Sequence, residues 1–274
     1  MGFVSLGLNQ ALMNTVQKLG YHEPTPIQLA AIPAVLNKQD VMARAQTGTG
    51  KTAAFALPII HQLCAQNDVA DGSAKPFLKA LVLTPTRELA QQVSSNFKKY
   101  AKGSGLKTVM AYGGVSIKLQ VDALQDGADI LVATPGRLID LMFKGVVDLK
   151  QLQVIVLDEA DRMLDMGFIT DIKRILKYLP VARQTLLFSA TFDDEIFKLS
   201  KSLLKSPCLI EVDEKNTAAV DVKQVVYNVD EDRKRELVSY LIGSKNWQQV
   251  LIFTRTKAGA DDLAREMCKD GLKT

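Results

Sequence analysis

Residues 41–52 are the stretch best suited to binding a phosphate. A short apolar run leads into a turn with glycines at positions 48 and 50, and an Ala-rich helical run begins at Lys51. Glycine allows the tight backbone in which successive N–H groups converge on an anion, and the helix start adds its positive dipole end. We therefore expect Lys51 to bind the β- and γ-phosphates of a nucleotide and the Thr52 hydroxyl to hold Mg²⁺. The alternative is a Gly/Thr turn that merely leads into a core helix.

Two carboxylates, Asp158 and Glu159, directly follow the apolar run 154–157. Mg²⁺ prefers oxygen ligands and usually takes one or two carboxylates plus waters and phosphates. Asp158 is expected to hold the hydrated ion, and Glu159 to orient or deprotonate the water that attacks the γ-phosphate. The alternative is that acidic residues simply stabilise a helix start, an effect of up to about 1 kcal/mol. The phosphate loop upstream favours the metal site.

Gln28 is the candidate for recognising the base. Prolines at positions 24 and 26 fix the backbone before an amphipathic run over residues 27–36, which presents Gln28 near its start. A Gln amide pairs with both N6 and N7 of adenine. Alone, the segment is typical of a rigid helix entry, but its position upstream of a phosphate loop favours adenine recognition.

These residues require elements that hold them at one edge of the fold. Short apolar runs occur at 80–83, 108–111, 130–133, 154–157 and 185–188, and helical patterns at 88–101, 118–125 and 168–179 lie between them. Continuous apolar runs indicate strands that are buried on both faces. The sequence therefore predicts an α/β fold, a parallel sheet with helices on both faces, and ligands outside the carboxyl ends of the strands. Residues 65–76 read as a polar surface loop.

Three further polar clusters follow predicted strands, at residues 84–90, 112–114 and 134–137. Each offers hydroxyls, backbone N–H groups, a helix start or an arginine, which are the groups that position a phosphodiester backbone. Singly, each is typical of a capped strand–helix junction. Together they predict a nucleic-acid contact along one rim of the sheet.

The composition is that of an ordinary globular protein, with 274 residues, 47% apolar and 23% charged. No apolar run approaches the ~20 residues that span a bilayer, and no signal peptide is evident, so we expect a cytoplasmic protein without membrane association. The three cysteines lack Cys-x-x-Cys spacing, so neither a disulfide framework nor a zinc site is indicated. The net charge of +4 permits a nucleic-acid partner without requiring one.

The chain resembles a DEAD-box RNA helicase in a series of ordered segments. These are Phe3 with residues 20–28 (an adenine-sensing Q motif and its upstream aromatic), 45–52 (motif I), 85–90 (Ia), Gly113-Gly114, 134–137 (Ib), 158–161 (II), 189–191 (III) and 251–256 (IV). Ala45 stands where the general phosphate-loop pattern has a glycine, and alanine there fits this family. Residues 162–168 and 243–256 look most like the bacterial RhlE-type branch.

The resemblance implies ATP-dependent, non-processive separation of short RNA duplexes by two RecA-like domains that close around ATP and RNA. It assigns ATP binding to Phe3, Gln28, Gln46, Thr47, Gly48, Thr49, Gly50, Lys51 and Thr52, with Phe3 stacked on the adenine. It assigns the metal to Thr52 and Asp158, and the catalytic roles to Lys51, Asp158 and Glu159. Ser189 and Thr191 would couple the nucleotide state to opening of the RNA. RNA phosphates and sugars would be gripped, with slight sequence preference, by Pro85, Thr86, Arg87, Gly114, Thr134, Gly136 and Arg137.

The same resemblance implies a domain organisation. Residues 1–209 correspond to a RecA-like ATP-binding domain, 210–222 to a linker, and 223–274 to the incomplete start of a second RecA-like domain with strands at 224–227 and 250–253. Nothing resembles motifs V and VI, which supply further RNA contacts and an arginine finger. We therefore expect a truncated or incomplete chain that binds ATP and RNA with little unwinding.

Two other functions stay open at this point. One is a DNA translocase of the same superfamily, which the Q motif together with Asp-Glu-Ala-Asp disfavours. The other is a catalytically silent, nucleotide-dependent RNA-binding module. The sequence indicates neither protein partners nor a particular RNA target.

Overall fold

The computed structural model describes residues 2–46, 48–67, 77–212, 223 and 225–273. The chain divides into two units, Met1–Glu214 and Lys215–Thr274. Every residue predicted to bind ATP or RNA belongs to the first unit. In the part of the chain that the structure describes, no helix is long and apolar enough to cross a membrane.

The first unit is built on one parallel sheet of seven strands, in the order β3-β4-β2-β5-β6-β1-β7. The strands are β1 (Val41–Arg44), β2 (Ala80–Leu83), β3 (Thr108–Ala111), β4 (Ile130–Ala133), β5 (Val154–Leu157), β6 (Gln184–Ser189) and β7 (Cys208–Glu211). Strands β2, β4, β5 and β6 are buried at every residue. Their continuous apolar runs thus face helices on both sides, as predicted.

Helices connect the strands and cover both faces of the sheet. After a 3-10 helix (Phe3–Leu6) they are α1 (Gln10–Lys18), α2 (Pro26–Leu36), α3 (Lys51–Asn67), α4 (Arg87–Tyr100), α5 (Ile117–Gln125), α6 (Pro135–Phe143), α7 (Ala160–Asp165), α8 (Ile169–Leu176) and α9 (Asp194–Leu203). Helices α1 to α4 pack into one hydrophobic core, and α6 to α9 pack into a second core on the opposite face. The predicted α/β class, with helices on both faces of a parallel sheet, is confirmed.

The carboxyl ends of the strands form one edge, and the predicted functional loops all start there. Strand β1 leads into the loop before α3, β5 into α7 and β6 into residues 190–193. The loops after β2, β3 and β4 lie along the other half of the same edge. This placement follows from the shared direction of parallel strands.

The structure differs from the sequence-based expectation in two places in this unit. Strand β7 continues to Glu211, so the first unit extends beyond the predicted boundary at residue 209 and occupies the start of the predicted linker. Ile210 is buried against the core, whereas Leu209 and Glu211 beside it are exposed, so this strand lacks the burial on both faces of the inner strands. Helix α3 runs to Asn67, into the predicted loop 65–76, whose remaining residues lie outside the described part.

The second unit contains a 3-10 helix (Glu231–Arg233) and two α-helices, α10 (Lys234–Ser244) and α11 (Lys257–Lys269). Arg235 pairs with Asp270 at 3.2 Å and with Glu266 at 3.5 Å. Residues 225–227 and 250–253, where strands were predicted, are not in a strand, and residue 224 lies outside the described part. Their apolar side chains are largely exposed, and a strand forms only where a neighbouring strand pairs with its backbone.

Candidate active site

The predicted phosphate loop joins β1 to α3. Gly48 and Gly50 have φ of +92° and +90°, in the left-handed region that favours glycine. The Thr49 hydroxyl donates to the Gln46 carbonyl at 2.8 Å, which ties the loop to its own start. Thr47 lies outside the described residues. The glycines therefore hold the turn that the phosphate-binding prediction requires.

Gln28 lies against this loop. Its Nε2 donates to the Gly50 carbonyl at 3.2 Å, and its Oε1 accepts from the Thr25 backbone N–H at 3.0 Å. The side chain is buried, and a Cβ added at Gly50 would lie 2.4 Å from the Gln28 Nε2. The segment predicted to read adenine and the loop predicted to hold phosphate are thus in direct contact.

Four buried polar atoms near the loop have no hydrogen-bond partner among the described residues: Thr25 Oγ1, beside Gly50, and Lys51 Nζ, Asp158 Oδ1 and Ser189 Oγ. Lys51 is 6% exposed, Asp158 2%, and Ser189 is fully buried. The Ser189 carbonyl accepts from the Ala45 backbone N–H at 3.0 Å, which fixes the end of β6 to the start of the loop. Because unsatisfied buried polar groups are costly, this cluster is suited to a polar ligand that completes their hydrogen bonds or ion contacts.

Asp158 titrates abnormally because of its surroundings. The pKa of Asp158 is raised to about 6, chiefly by burial; the nearby Lys51 ammonium opposes this rise, and the adjacent Glu159 adds to it. A cation bound at this carboxylate would offset the cost of burying its charge. Among the described residues, no group of three or more His, Cys, Asp or Glu side chains could hold a metal. A single carboxylate such as Asp158 suits Mg²⁺, which usually takes one or two carboxylates together with phosphates and water.

Glu159 has an unusual backbone. Its φ is +55°, a conformation that costs a non-glycine residue energy and is often kept at functional sites. The side chain is 12% exposed, and its Oε2 lies 3.3 Å from Arg162 Nη1. The strained residue lies at the turn between β5 and α7, directly after the buried Asp158.

Asp161 connects the acidic segment to the end of β6. Its Oδ2 accepts from the backbone N–H groups of Ala190 at 3.0 Å and Thr191 at 3.1 Å, and lies 3.4 Å from the Thr191 hydroxyl. The predicted coupling residue Thr191 is thereby held by α7, the helix that follows the predicted metal ligand Asp158. From the sequence, Asp161 was placed in the motif of residues 158–161 but was given no role of its own. Its position three residues after Asp158 was the feature of the sequence that could have indicated one.

The two aromatic side chains near the base-recognition segment differ in exposure. Phe3, predicted to stack on adenine, is 3% exposed and belongs to the core beneath α2. Tyr21 is 39% exposed, and its hydroxyl lies 3.1 Å from that of Tyr100, whose pKa is raised by burial and by this contact. In this conformation Tyr21, seven residues before Gln28, presents an accessible ring and Phe3 does not.

The predicted RNA residues lie on three segments after β2, β3 and β4, which we call the rim: residues 84–87, 112–116 and 134–137. The first and third segments run into the starts of α4 and α6. Arg87 is exposed, and its guanidinium carbon lies 5.3 Å from the centre of the Tyr112 ring. The Thr86 hydroxyl accepts from the Leu89 N–H and caps α4. Gly114 has a φ of +79° in an exposed turn, whereas Arg137 has only 9% of its side chain exposed. Pro85 and Thr134 are buried, and Gly136 is half-buried.

Comparison with known proteins agrees with this geometry. The model of the DEAD/DEAH box helicase family matches residues 25–199. The chain is 41% identical over 272 residues to the DEAD-box ATP-dependent RNA helicase RhpA of Helicobacter pylori, covering 99% of this chain and 54% of the relative. It is 40% identical over 270 residues to the RNA helicase CrhR of Synechocystis, covering 98% and 53%. The chain thus spans about half the length of these curated relatives.

A solved structure shows the same fold. The crystal structure of a DEAD box protein from Methanococcus jannaschii superposes with a TM-score of 0.70 at 34% identity, over 99% of this chain and 71% of the other. The similarity covers the loop after β1, the acidic segment after β5 and the rim. These matches do not single out the RhlE-type branch.

Proposed function

Since the chain belongs to the DEAD/DEAH box helicase family, we propose that it is the ATP-binding part of an ATP-dependent RNA helicase. The observation that carries the proposal is the set of unpartnered buried atoms on Lys51, Asp158 and Ser189, beside a glycine turn that Gln28 contacts. The phosphates of a nucleoside triphosphate would accept hydrogen bonds from the Lys51 ammonium, and its bound cation would supply positive charge beside the Asp158 carboxylate.

ATP is held from two sides in this proposal. The backbone of residues 46–50 and the Lys51 ammonium bind the phosphates, while Gln28 reads the adenine from the adjoining helix. Gln28 can do so only by exchanging its present contacts with Thr25 and Gly50 for the base edge, or by sharing them. The exposed ring of Tyr21 is better placed for stacking here than Phe3, which would first have to leave the core.

Thr52 and Asp158 would hold Mg²⁺, which would neutralise charge on the phosphates during transfer. Asp158 supplies a carboxylate oxygen, and Glu159 orients the attacking water and accepts its proton. The two carboxylates differ in burial, since Asp158 is 2% exposed and the Glu159 side chain 12%, which suits Glu159 better to contact with water. Arg162 restrains the Glu159 side chain from the solvent side.

Nucleotide state would reach the RNA surface through Asp161. Its carboxylate holds the N–H groups of residues 190 and 191 at the end of β6, next to the unpartnered Ser189 hydroxyl. A shift of the acidic segment on hydrolysis would therefore move Ser189 and Thr191 directly. In this proposal the acidic segment 158–161 contacts residues 190 and 191 directly, so no other helix or strand is needed to transmit the change.

RNA is the proposed partner, bound along the rim through its backbone. Arg87 is exposed and makes no ion pair among the described residues, so it is available to a phosphate. Turn amides and helix starts complete the contact, and such groups carry little sequence information. Because ATP and RNA are found inside the cell, we place its action in the cytoplasm.

RNA-dependent ATP turnover tests this function. We expect ATP hydrolysis that requires Mg²⁺ and rises with single-stranded RNA more than with DNA of the same sequence, the Helicobacter pylori relative serving as the positive control. Equal stimulation by DNA would favour the translocase. Nucleotide-dependent RNA binding with no turnover in saturating RNA would favour the silent binding module.

A further inference from the structure

Arg137 is held almost entirely by the protein itself. Its Nη1 donates to Gln120 Oε1 at 2.9 Å and its Nη2 donates to the Val115 carbonyl at 3.0 Å. Its Nε is buried, 3.8 Å from Asp140 Oδ2, and makes no hydrogen bond among the described residues. Only 9% of the side chain is exposed. A guanidinium in this position has little free surface to offer a phosphate.

Gln120 continues the connection to the opposite end of the same loop. Its Nε2 donates to the Tyr112 carbonyl at 3.1 Å, and the side chain is buried. Tyr112 is itself fixed, because its hydroxyl accepts from Gln91 Nε2 at 3.0 Å and Arg87 covers its ring. Arg137 and Gln120 together therefore tie Val115 and Tyr112, the two ends of the turn that contains Gly113 and Gly114.

The turn between these ties carries the groups that can meet a phosphate. Gly113 and Gly114 are exposed, and among the described residues neither amide donates a hydrogen bond. Gly114 has a φ of +79°, and a conformation of this kind lets successive N–H groups face one anion. The open amides thus depend for their position on two buried side chains.

We propose that Arg137 and Gln120 are positioning residues, which hold the turn 112–115 so that its glycine amides and Arg87 meet the RNA backbone, and that Arg137 does not itself neutralise a phosphate. The proposal rests on RNA binding at the rim, proposed above. It separates two arginines that look equivalent in sequence, because Arg87 acts through its charge and Arg137 through its geometry.

The salt dependence of RNA binding distinguishes the two roles. For single-stranded RNA, each phosphate contact contributes about 0.7 to the slope of log K against log salt concentration. Arg87→Gln should make the slope less steep by about 0.7, because one phosphate contact is lost. Arg137→Gln and Arg137→Lys should both weaken binding by about tenfold with the slope unchanged, because lysine keeps the charge but cannot bridge Gln120 and Val115. Lys118→Gln, an exposed position on α5, is the matched control for loss of a charge.

A double-mutant cycle adds a second criterion. Gln120→Ala should weaken binding about as much as Arg137→Gln, and the double variant should be no weaker than either alone, because both act through one turn. The proposal would be overturned if Arg137→Gln made the slope less steep by about 0.7 while Arg137→Lys kept it, and if the losses of binding free energy from Arg137→Gln and Gln120→Ala added up in the double variant. Circular dichroism melting shows that each variant folds.

A measurement without RNA separates this inference from the function it rests on. The ¹⁵N relaxation order parameters of Gly113 and Gly114 should fall in Arg137→Lys and Gln120→Ala and stay unchanged in Lys118→Gln. Order parameters that do not change would refute the positioning role even if the chain binds RNA. If they fall while the unmutated chain binds no RNA, the turn is positioned as inferred and the proposed function fails instead.

Discussion

The side-chain amide of Gln28 packs directly against the backbone of Gly50. Gln28 Nε2 lies 3.2 Å from the Gly50 carbonyl oxygen, and a Cβ on Gly50 would lie only 2.4 Å from that nitrogen. The residue proposed to read the base and the turn proposed to bind the phosphates therefore constrain each other. No side chain larger than hydrogen fits at position 50 unless Gln28 moves.

Gly50→Ala should accordingly lose base selection as well as affinity. The methyl group displaces the Gln28 amide, and φ of +90° strains any other residue, a cost of about 1–2 kcal/mol. We expect weaker ATP binding and a ratio of ATP to GTP affinity close to that of Gln28→Ala. Competition binding with fluorescent nucleotides measures both quantities.

Gly48→Ala is the matched control. Gly48 has nearly the same φ, +92°, but a Cβ there meets nothing within 4 Å. It should share the backbone strain and the loss of affinity while it keeps the preference for ATP. If Gly48→Ala loses the preference equally, or if the unmutated chain binds ATP and GTP alike, the contact with Gln28 does not set base selection.

Glu159→Gln should separate hydrolysis from binding. The amide keeps the size of the side chain but removes the base, so ATP should still bind while RNA-stimulated turnover falls by about 10²–10⁴-fold. Asp158→Ala should instead weaken the Mg²⁺-dependent part of nucleotide binding. Asp165→Asn, an exposed carboxylate on α7, controls for the change of charge. The role assignment is wrong if the Asp158 and Glu159 variants behave identically in binding and turnover.

Sequence periodicity predicted the sheet well because its strands are buried on both faces. Continuous apolar runs such as Val154–Leu157 have one structural solution, a strand covered by helices, and their shared direction brings the loops after them to one edge. The turn glycines and the carboxylate at the end of β5 were predictable for a different reason, because each of these positions requires a residue type that few others can replace. Strand β7 was not predicted, because it lies at the edge of the sheet and Ile210 is the one buried residue of its four.

Contacts between side chains that are distant in sequence could not be predicted in this way. The spacing of Arg137 after β4 placed it on the rim correctly but gave no sign that Gln120, on another helix, occupies its guanidinium. Phe3 matched a motif position, yet its burial is decided by the packing of the first helix against the core. Tertiary packing decides whether a polar or aromatic side chain at the right position is free to bind a ligand.

Asp158→Asn should stabilise the ligand-free protein while it weakens the metal site. Burial raises the pKa of Asp158 from 3.8 to about 6, so above pH 6 the folded protein carries a charge that unfolding would release to water. The charge thus lowers stability at neutral pH, and removing it should gain about 1–3 kcal/mol. Below pH 6 the folded carboxyl is protonated, and the gain should shrink until it vanishes near pH 4. Urea unfolding of both proteins from pH 4 to 8 without Mg²⁺ checks this, and a gain that grows on acidification would contradict it.

His61 should make the attachment of the first helix sensitive to acid. The Asn9 backbone N–H donates to His61 Nδ1 at 3.0 Å, so that nitrogen must be unprotonated, and burial lowers the pKa of His61 below 6.5. The unfolded chain then binds the proton more readily than the folded one, so this contact stabilises the protein above pH 6.5 and its contribution is lost as the pH falls. We expect Tm to fall more steeply between pH 7 and about pH 5 in the unmutated chain than in His61→Gln. The other histidine, His22, is exposed, so His22→Gln should follow the unmutated chain. An NMR titration that places the pKa of His61 at or above 6.5, or equal pH slopes for the two glutamine variants, would rule out this account.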